Sequence, residues 1–195
     1  MANRTGAGLV FLTGFMGAGK TTVGSALAAV LGWNFIDLDD FIEARAGKKI
    51  AEIFAGEGSA PGGEEHFRRL ESRALGRVIG DATSRPIAAA GTVVALGGGT
   101  LQQAQNRVMI DQAAGTVVFL ESTAEALFER CQAAPGTRPL HSGLDTFAAT
   151  YRQRLPVYRE SALSVTTDGK SPQQIAAELA ALLKATNEIS RREAQ

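Results

Sequence analysis

The stretch Gly14-Phe15-Met16-Gly17-Ala18-Gly19-Lys20-Thr21 constrains this chain more than any other part of it. Gly14 and Gly19 frame four residues and are followed by a lysine and a hydroxyl residue, the spacing of a loop that wraps phosphate. Glycines let successive backbone N–H groups converge on phosphate oxygens, and a helix N-terminus behind them adds a favourable dipole. Such a loop needs a buried strand before it and a helix after it. Leu9 to Thr13 is short and almost wholly apolar, as a strand covered on both faces should be. Beyond the loop, Val23, Leu27, Val30 and Leu31 recur at helical spacing, and Gly32 stands where a helix stop is expected. Gly17, Ala18, Gly19, Lys20, Thr21 and Thr22 therefore read as a nucleotide phosphate site. Lys20 would reach the β- and γ-phosphates, and the Thr21 hydroxyl would ligate Mg²⁺. The loop alone does not separate a kinase from an NTPase or a GTPase.

At 195 residues the chain suits a single domain spanning 1–195. Lys plus Arg equals Asp plus Glu at 20 each, so no global basic field favours nucleic acid. The lone Cys131 excludes an intramolecular disulfide and cannot make a metal site by itself, which suits a reducing cytoplasm. The apolar run Leu9 to Leu12 is too short for a signal core or a membrane span, so no membrane partner is expected.

Further strands are expected at Phe35–Asp37, Val93–Leu96, Thr116–Leu120 and Ser164–Thr167. Phe41 and Ile42, then Ile50, Ile53 and Phe54, suggest two short helices split near Gly47. A charged amphipathic helix is expected from about Glu64 to Ile79. A last helix runs from Pro172 to Leu183, capped by Ser171. Strands alternating with helices imply an α/β fold with a parallel sheet, though this pattern leaves the strand order open. The polar tail from Ala185 to Gln195 is expected to fray.

Asp37-Leu38-Asp39-Asp40 follows the second strand. Strand alternation would aim Asp37 and Asp39 the same way, toward the ligand-binding end of the sheet. One carboxylate could then hold Mg²⁺ through water while the other orients an attacking hydroxyl. The alternative is an acid-rich helix N-terminus favoured by the dipole. Arg68 and Glu71 lie three apart on a helix, so Glu71 can brace a guanidinium that receives a carboxylate; an ordinary surface ion pair is the other reading. Gly97-Gly98-Gly99 ends a buried strand and would allow close approach of a substrate, or simply make a tight turn. Gly136-Thr137-Arg138-Pro139-Leu140 has the polar composition of a lid whose arginine neutralises a transferring phosphoryl group. Arg154-Leu155-Pro156-Val157-Tyr158 places another arginine late in a helical segment.

Taken in order, these pieces resemble the shikimate kinase family from about Leu9 to Leu183. The matching marks are the phosphate loop, Asp37-x-Asp39, Phe67-Arg68-Arg69-x-Glu71, Gly97-Gly98-Gly99, Arg138-Pro139-Leu140 and Arg154-x-Pro156-x-Tyr158. The resemblance implies a P-loop kinase fold: a central five-stranded parallel sheet flanked by helices. It also implies an acceptor-binding region at about 38–75 and a lid at about 131–145. It implies transfer of the γ-phosphoryl of ATP to the 3-hydroxyl of shikimate, with Mg²⁺ as cofactor, in a monomer. By position, Asp39 would bind shikimate hydroxyls and act as base or orienting group. Arg68 and Arg154 would clamp the carboxylate beside Gly97, Gly98 and Gly99. Lys20 and Arg138 would contact ATP phosphates as catalytic groups, and Thr21 and Asp37 would serve the metal, Asp37 through water.

Three features depart from the family pattern. Ser59 to Gly63 looks like a glycine- and proline-rich insertion. Arg130-Cys131-Gln132-Ala133-Ala134 lacks a run of basic lid residues, with Arg130 the candidate for stacking on adenine. The lid looks short. Two rivals follow from the same residues. One is a related kinase of gluconate or of a nucleoside monophosphate. The other is a ligand-sensing domain of the kind fused to a DNA-binding domain, for which the few residues before Leu9 leave no room.

Overall fold

The computed structural model describes residues 8–56, 63–84, 90–133 and 143–193. Five strands are present among them: β1 (Leu9–Thr13), β2 (Asn34–Asp37), β3 (Thr92–Ala95), β4 (Thr116–Glu121) and β5 (Leu163–Thr166). They form one sheet in the order β2-β3-β1-β4-β5, with every neighbouring pair parallel. The helices are α1 (Lys20–Leu31), α2 (Leu38–Ala46), α3 (Ile50–Ala55), α4 (Glu64–Thr83), α5 (Ala104–Gln112), α6 (Ala124–Ala133), α7 (Leu144–Arg159) and α8 (Pro172–Glu193).

β1 is central, and all five of its residues are buried. Its side chains alternate between two cores, as the two-residue period of a strand requires. Val10 and Leu12 join Leu27 and Ala28 of α1 and Leu179 of α8. Leu9 and Phe11 instead join Leu38, Leu75, Val78 and Ile110 on the other face. This double coverage explains why the strand reads as a continuous apolar run.

β1 pairs with β3 on one side and β4 on the other, Leu12 lying opposite Ala95 and Val118. The phosphate loop after β1 and the glycine run after β3 therefore emerge side by side. The connection from β1 leads to β2 at one edge of the sheet and that from its neighbour β4 to β5 at the other, which opens a crevice at the carboxyl ends of these strands.

Several helix limits match the sequence reading. Gly47 closes α2 with φ 64°, and Gly32 closes α1 with φ 66°. Ser171 caps α8 reciprocally: its hydroxyl accepts from the Gln174 N–H at 3.2 Å, and its own N–H donates to Gln174 Oε1 at 2.8 Å. Two limits differ. Helix α4 runs one turn past Ile79 to Thr83, and α8 continues through the expected frayed tail to Glu193. That tail contains no glycine or proline and is rich in alanine, arginine and glutamate, all good helix formers. Among the described residues, no helix is long and apolar enough to cross a membrane.

Candidate active site

The phosphate loop is built on backbone that only glycine adopts readily. Gly17 has φ +80°, and a Cβ there would lie 2.6 Å from the carbonyl oxygen of Leu127 and 2.9 Å from Cys131 Sγ. Helix α6 thus backs directly onto the loop, so Cys131 packs behind it. Gly19, with φ 83°, delivers the chain into α1. Lys20 curls under the loop, its Nζ donating to the carbonyls of Gly14 at 2.9 Å and Phe15 at 3.0 Å. Burial lowers the pKa of this ammonium group from the ordinary lysine value, against the opposing pull of Asp39 and Asp37.

The Asp37–Asp39 pair is not the alternating strand pair that the sequence suggests. The strand ends at Asp37, which caps α2: its Oδ1 accepts from the Asp39 N–H at 3.0 Å. Its other oxygen accepts from the Thr21 hydroxyl at 2.6 Å, joining α1 to α2. Asp39 occupies the first turn of α2 and points into the crevice. Asp39 Oδ1 is inaccessible to solvent and has no hydrogen-bond partner among the described residues. Burial, aided by the charge on Asp37, raises the Asp39 pKa to about 6, although Lys20 opposes this. Asp40 and Glu43 lie outside this arrangement, Glu43 pairing with Lys49 at 2.6 Å.

Arg68, on α4, is gripped by carboxylates. Its Nη1 donates to Glu71 at 2.8 Å and its Nη2 to Glu64 at 3.2 Å. Glu71 is fully buried. Its oxygens also accept from Thr100 Oγ1 at 2.6 Å and from Gln103 Nε2 at 3.0 Å. Arg68 is therefore fixed to the turn that follows the glycine run, a network well above an ordinary surface ion pair. Nothing local in the sequence marks Thr100 or Gln103 as its supports.

The glycine run lies close beneath these groups. A Cβ on Gly99 would stand 2.5 Å from Arg68 Nη2, and one on Gly97 would stand 2.7 Å from Glu71 Oε1 and 3.1 Å from Asp39 Oδ1. Arg154, on α7, lies with its Cζ 5.5 Å from the centre of the Phe15 ring and donates to the Gly98 carbonyl at 3.3 Å.

These groups share one cleft of about 530 Å³, whose lining includes Gly17, Gly19, Lys20, Thr21, Thr22, Asp37, Asp39, Arg68, Gly97, Gly98, Gly99 and Arg154. Met16, Ile50, Phe54 and Phe67 supply an apolar wall, a role the sequence reading gives to none of them. Ala18 is buried beneath the loop rather than lining the cleft. Arg138 and most of the lid, together with Ser59 to Gly62 of the insertion, lie outside the described residues. Arg130 pairs with Asp168 at 2.8 Å and donates to Thr167 Oγ1 at 2.9 Å.

A phosphate loop, a buried carboxylate and two arginines around one cleft of this size define a P-loop kinase of a small anionic acceptor. The chain belongs to the shikimate kinase family, whose profile matches residues 16–184. It is 39% identical over 180 residues to the shikimate kinase of Moorella thermoacetica, covering 91% of this chain and 95% of that protein. The shikimate kinase of Acinetobacter baumannii in complex with shikimate superposes with a TM-score of 0.76. The two are 33% identical, over 92% of this chain and 94% of that one. A gluconokinase from Sinorhizobium meliloti reaches a TM-score of 0.63 at 20% identity, over 98% of this chain and 100% of that one, which shows a shared fold alone.

Proposed function

We propose that this protein transfers the γ-phosphoryl group of ATP to the 3-hydroxyl of shikimate, giving shikimate 3-phosphate and ADP on the route to chorismate and the aromatic amino acids. The observation that carries this reading is the pairing of Arg68 and Arg154 across the glycine run, within the cleft that also holds Lys20 and Asp39. A small acid bearing several hydroxyls matches two guanidinium groups facing a hydrogen-bond acceptor.

Each residue then has a task. The backbone N–H groups from Gly17 to Thr22 cradle the phosphates, and Lys20 leaves its two carbonyls to meet the β- and γ-phosphates. Arg68 and Arg154 hold the acceptor carboxylate, with Gly97 to Gly99 leaving room for it. Asp39 accepts a hydrogen bond from the 3-hydroxyl and directs its oxygen at the γ-phosphorus. The new O–P bond forms as the bond to the bridging oxygen of ADP breaks, and the hydroxyl proton passes to Asp39. Arg138 neutralises phosphoryl charge from the lid, and Arg130 serves the adenine side.

The donor set fits Mg²⁺. The Thr21 hydroxyl and the Asp37 carboxylate are hard oxygen ligands 2.6 Å apart. An Mg²⁺ ion of this kind is held by few protein groups plus phosphate oxygens. Thr21 would hold it directly and Asp37 through water. Bound there, the ion supplies charge neutralisation on the phosphates. We place the protein in the cytoplasm as a monomer.

Arg68→Ala and Arg154→Met test this assignment. Each is expected to raise the KM for shikimate on the order of 10- to 100-fold, the worth of a charge-assisted hydrogen bond, while the KM for ATP stays near that of the parent. Variants that bind shikimate as well as the parent would overturn the clamp.

The glycine run supports a sharper comparison. Gly99→Ala drives a methyl group into Arg68, whereas a Cβ at Gly98 meets nothing closer than 3.6 Å. In titration calorimetry, Gly99→Ala should weaken shikimate binding on the order of tenfold and Gly98→Ala much less. Equal losses would mean that Arg68 does not contact the acceptor.

A further inference from the structure

The two arginines of the cleft are held in opposite ways. Arg68 is bound by two carboxylates, at 2.8 and 3.2 Å. Among the described residues, no carboxylate lies within ion-pair distance of Arg154, and its supports are neutral. They are the Phe15 ring, 5.5 Å from Cζ, the Gly98 carbonyl at 3.3 Å, and the Tyr158 hydroxyl, which also interacts with the guanidinium. The Phe15 ring is itself fixed by edge contact with Phe147, the centroids lying 4.9 Å apart.

The same Gly98 carbonyl accepts a second hydrogen bond, from the hydroxyl of Tyr158. Tyr158 lies four residues after Arg154 on α7, so both side chains project from one helix face. It is fully buried and stacks on Phe119 of β4, with centroids 5.4 Å apart and planes 27° apart. Burial pushes its pKa up to about 12, so the phenol remains a donor at any working pH. One carbonyl thus accepts from both side chains, the Tyr158 hydroxyl and the Arg154 guanidinium. A guanidinium held by neutral groups keeps its charge and most of its N–H groups for an incoming anion.

We propose that Tyr158 is a positioning residue for acceptor binding: its hydroxyl ties α7 to the Gly98 carbonyl, lies against the Arg154 guanidinium, and so sets Arg154 over the glycine run clear of any carboxylate. This rests on the reading of Arg154 as a ligand of the acceptor carboxylate. Without the hydroxyl, Arg154 is the remaining donor seen on that carbonyl and is drawn toward it. Acceptor binding then has to break that contact.

Tyr158→Phe removes the hydroxyl and keeps the ring stack, so the fold survives, as a thermal melt would verify. The experiment is steady-state kinetics on the parent, Tyr158→Phe, Arg154→Met and the double variant, with shikimate and ATP varied in turn. The expected result is a rise of about fivefold in the KM for shikimate for Tyr158→Phe, the worth of one neutral hydrogen bond. The KM for ATP should stay at the parent value. In the Arg154→Met background the same change should have no further effect, because its route runs through Arg154. A rise in both KM values, or an effect that simply adds in the double variant, would mean a general structural role and overturn the proposal. A silent Tyr158→Phe beside a strong Arg154→Met would overturn this inference alone. A silent Arg154→Met would remove the reading of Arg154 and this inference with it.

Discussion

Asp39→Asn is expected to abolish turnover while making the free protein more stable. Loss of the group that orients and accepts the hydroxyl proton should lower kcat on the order of 10²- to 10⁴-fold. The stability gain follows from the same geometry. One oxygen of Asp39 is buried without a partner among the described residues, in a position that raises the pKa to about 6, so the ionised carboxylate is penalised at neutral pH. A shift of this size corresponds to roughly 3 kcal/mol between the two protonation states, and a neutral isostere should recover on the order of 1–2 kcal/mol of it. The melting temperature of the ligand-free protein should then rise by a few degrees, about 2–4 °C per kcal/mol for a chain of this length. An active variant, or an inactive one that melts lower than the parent, would contradict this account of Asp39. The first would remove its chemical role. The second would mean that the carboxylate is satisfied in the folded protein.

Lys20→Met should remove most turnover and leave the acceptor site able to bind. The ammonium group is the positive charge directly under the loop, and it donates to Gly14 and Phe15 at 2.9 and 3.0 Å. Its value to the reaction comes when those bonds are exchanged for phosphate oxygens. Removing one such preorganised donor costs on the order of 10²- to 10³-fold in rate. Methionine fills the stem and carries no buried charge, so the loss of two carbonyl contacts is offset by relief of desolvation. Calorimetry with shikimate, beside the ADP-release assay, separates the effects. Retained shikimate binding with lost turnover is the expected pair of results. Turnover near the parent's would show that Lys20 does not meet the transferring phosphate.

The phosphate site was legible because it is contiguous. Its lysine bonds carbonyls five and six residues away, and its flanking strand and helix carry their own periodicity. The parallel sheet was legible for a related reason: strands buried on both faces leave unbroken apolar runs. The acceptor site is different. Its parts come from α2, α4, the end of β3 and α7, and only the resemblance to a family joined them. Of the two readings of Asp37 and Asp39, strand alternation fails because it carries the strand two residues past its end at Asp37, and the helix N-terminus holds. The cap signal was present, in acidic residues standing before the helical pair Phe41 and Ile42. Thr100 and Gln103 left no trace, since their bonds to Glu71 span 29 and 32 residues. Tyr158 belonged to a matching motif, yet its hydroxyl bond to Gly98 spans 60 residues.

The most direct measurement is a coupled ADP-release assay with ATP and Mg²⁺, run with shikimate, with gluconate and with no acceptor. Release that depends on shikimate, with gluconate at the no-acceptor background, is the predicted result. Release driven by gluconate and not by shikimate, or no acceptor-dependent release from protein that binds ATP, would contradict the assignment.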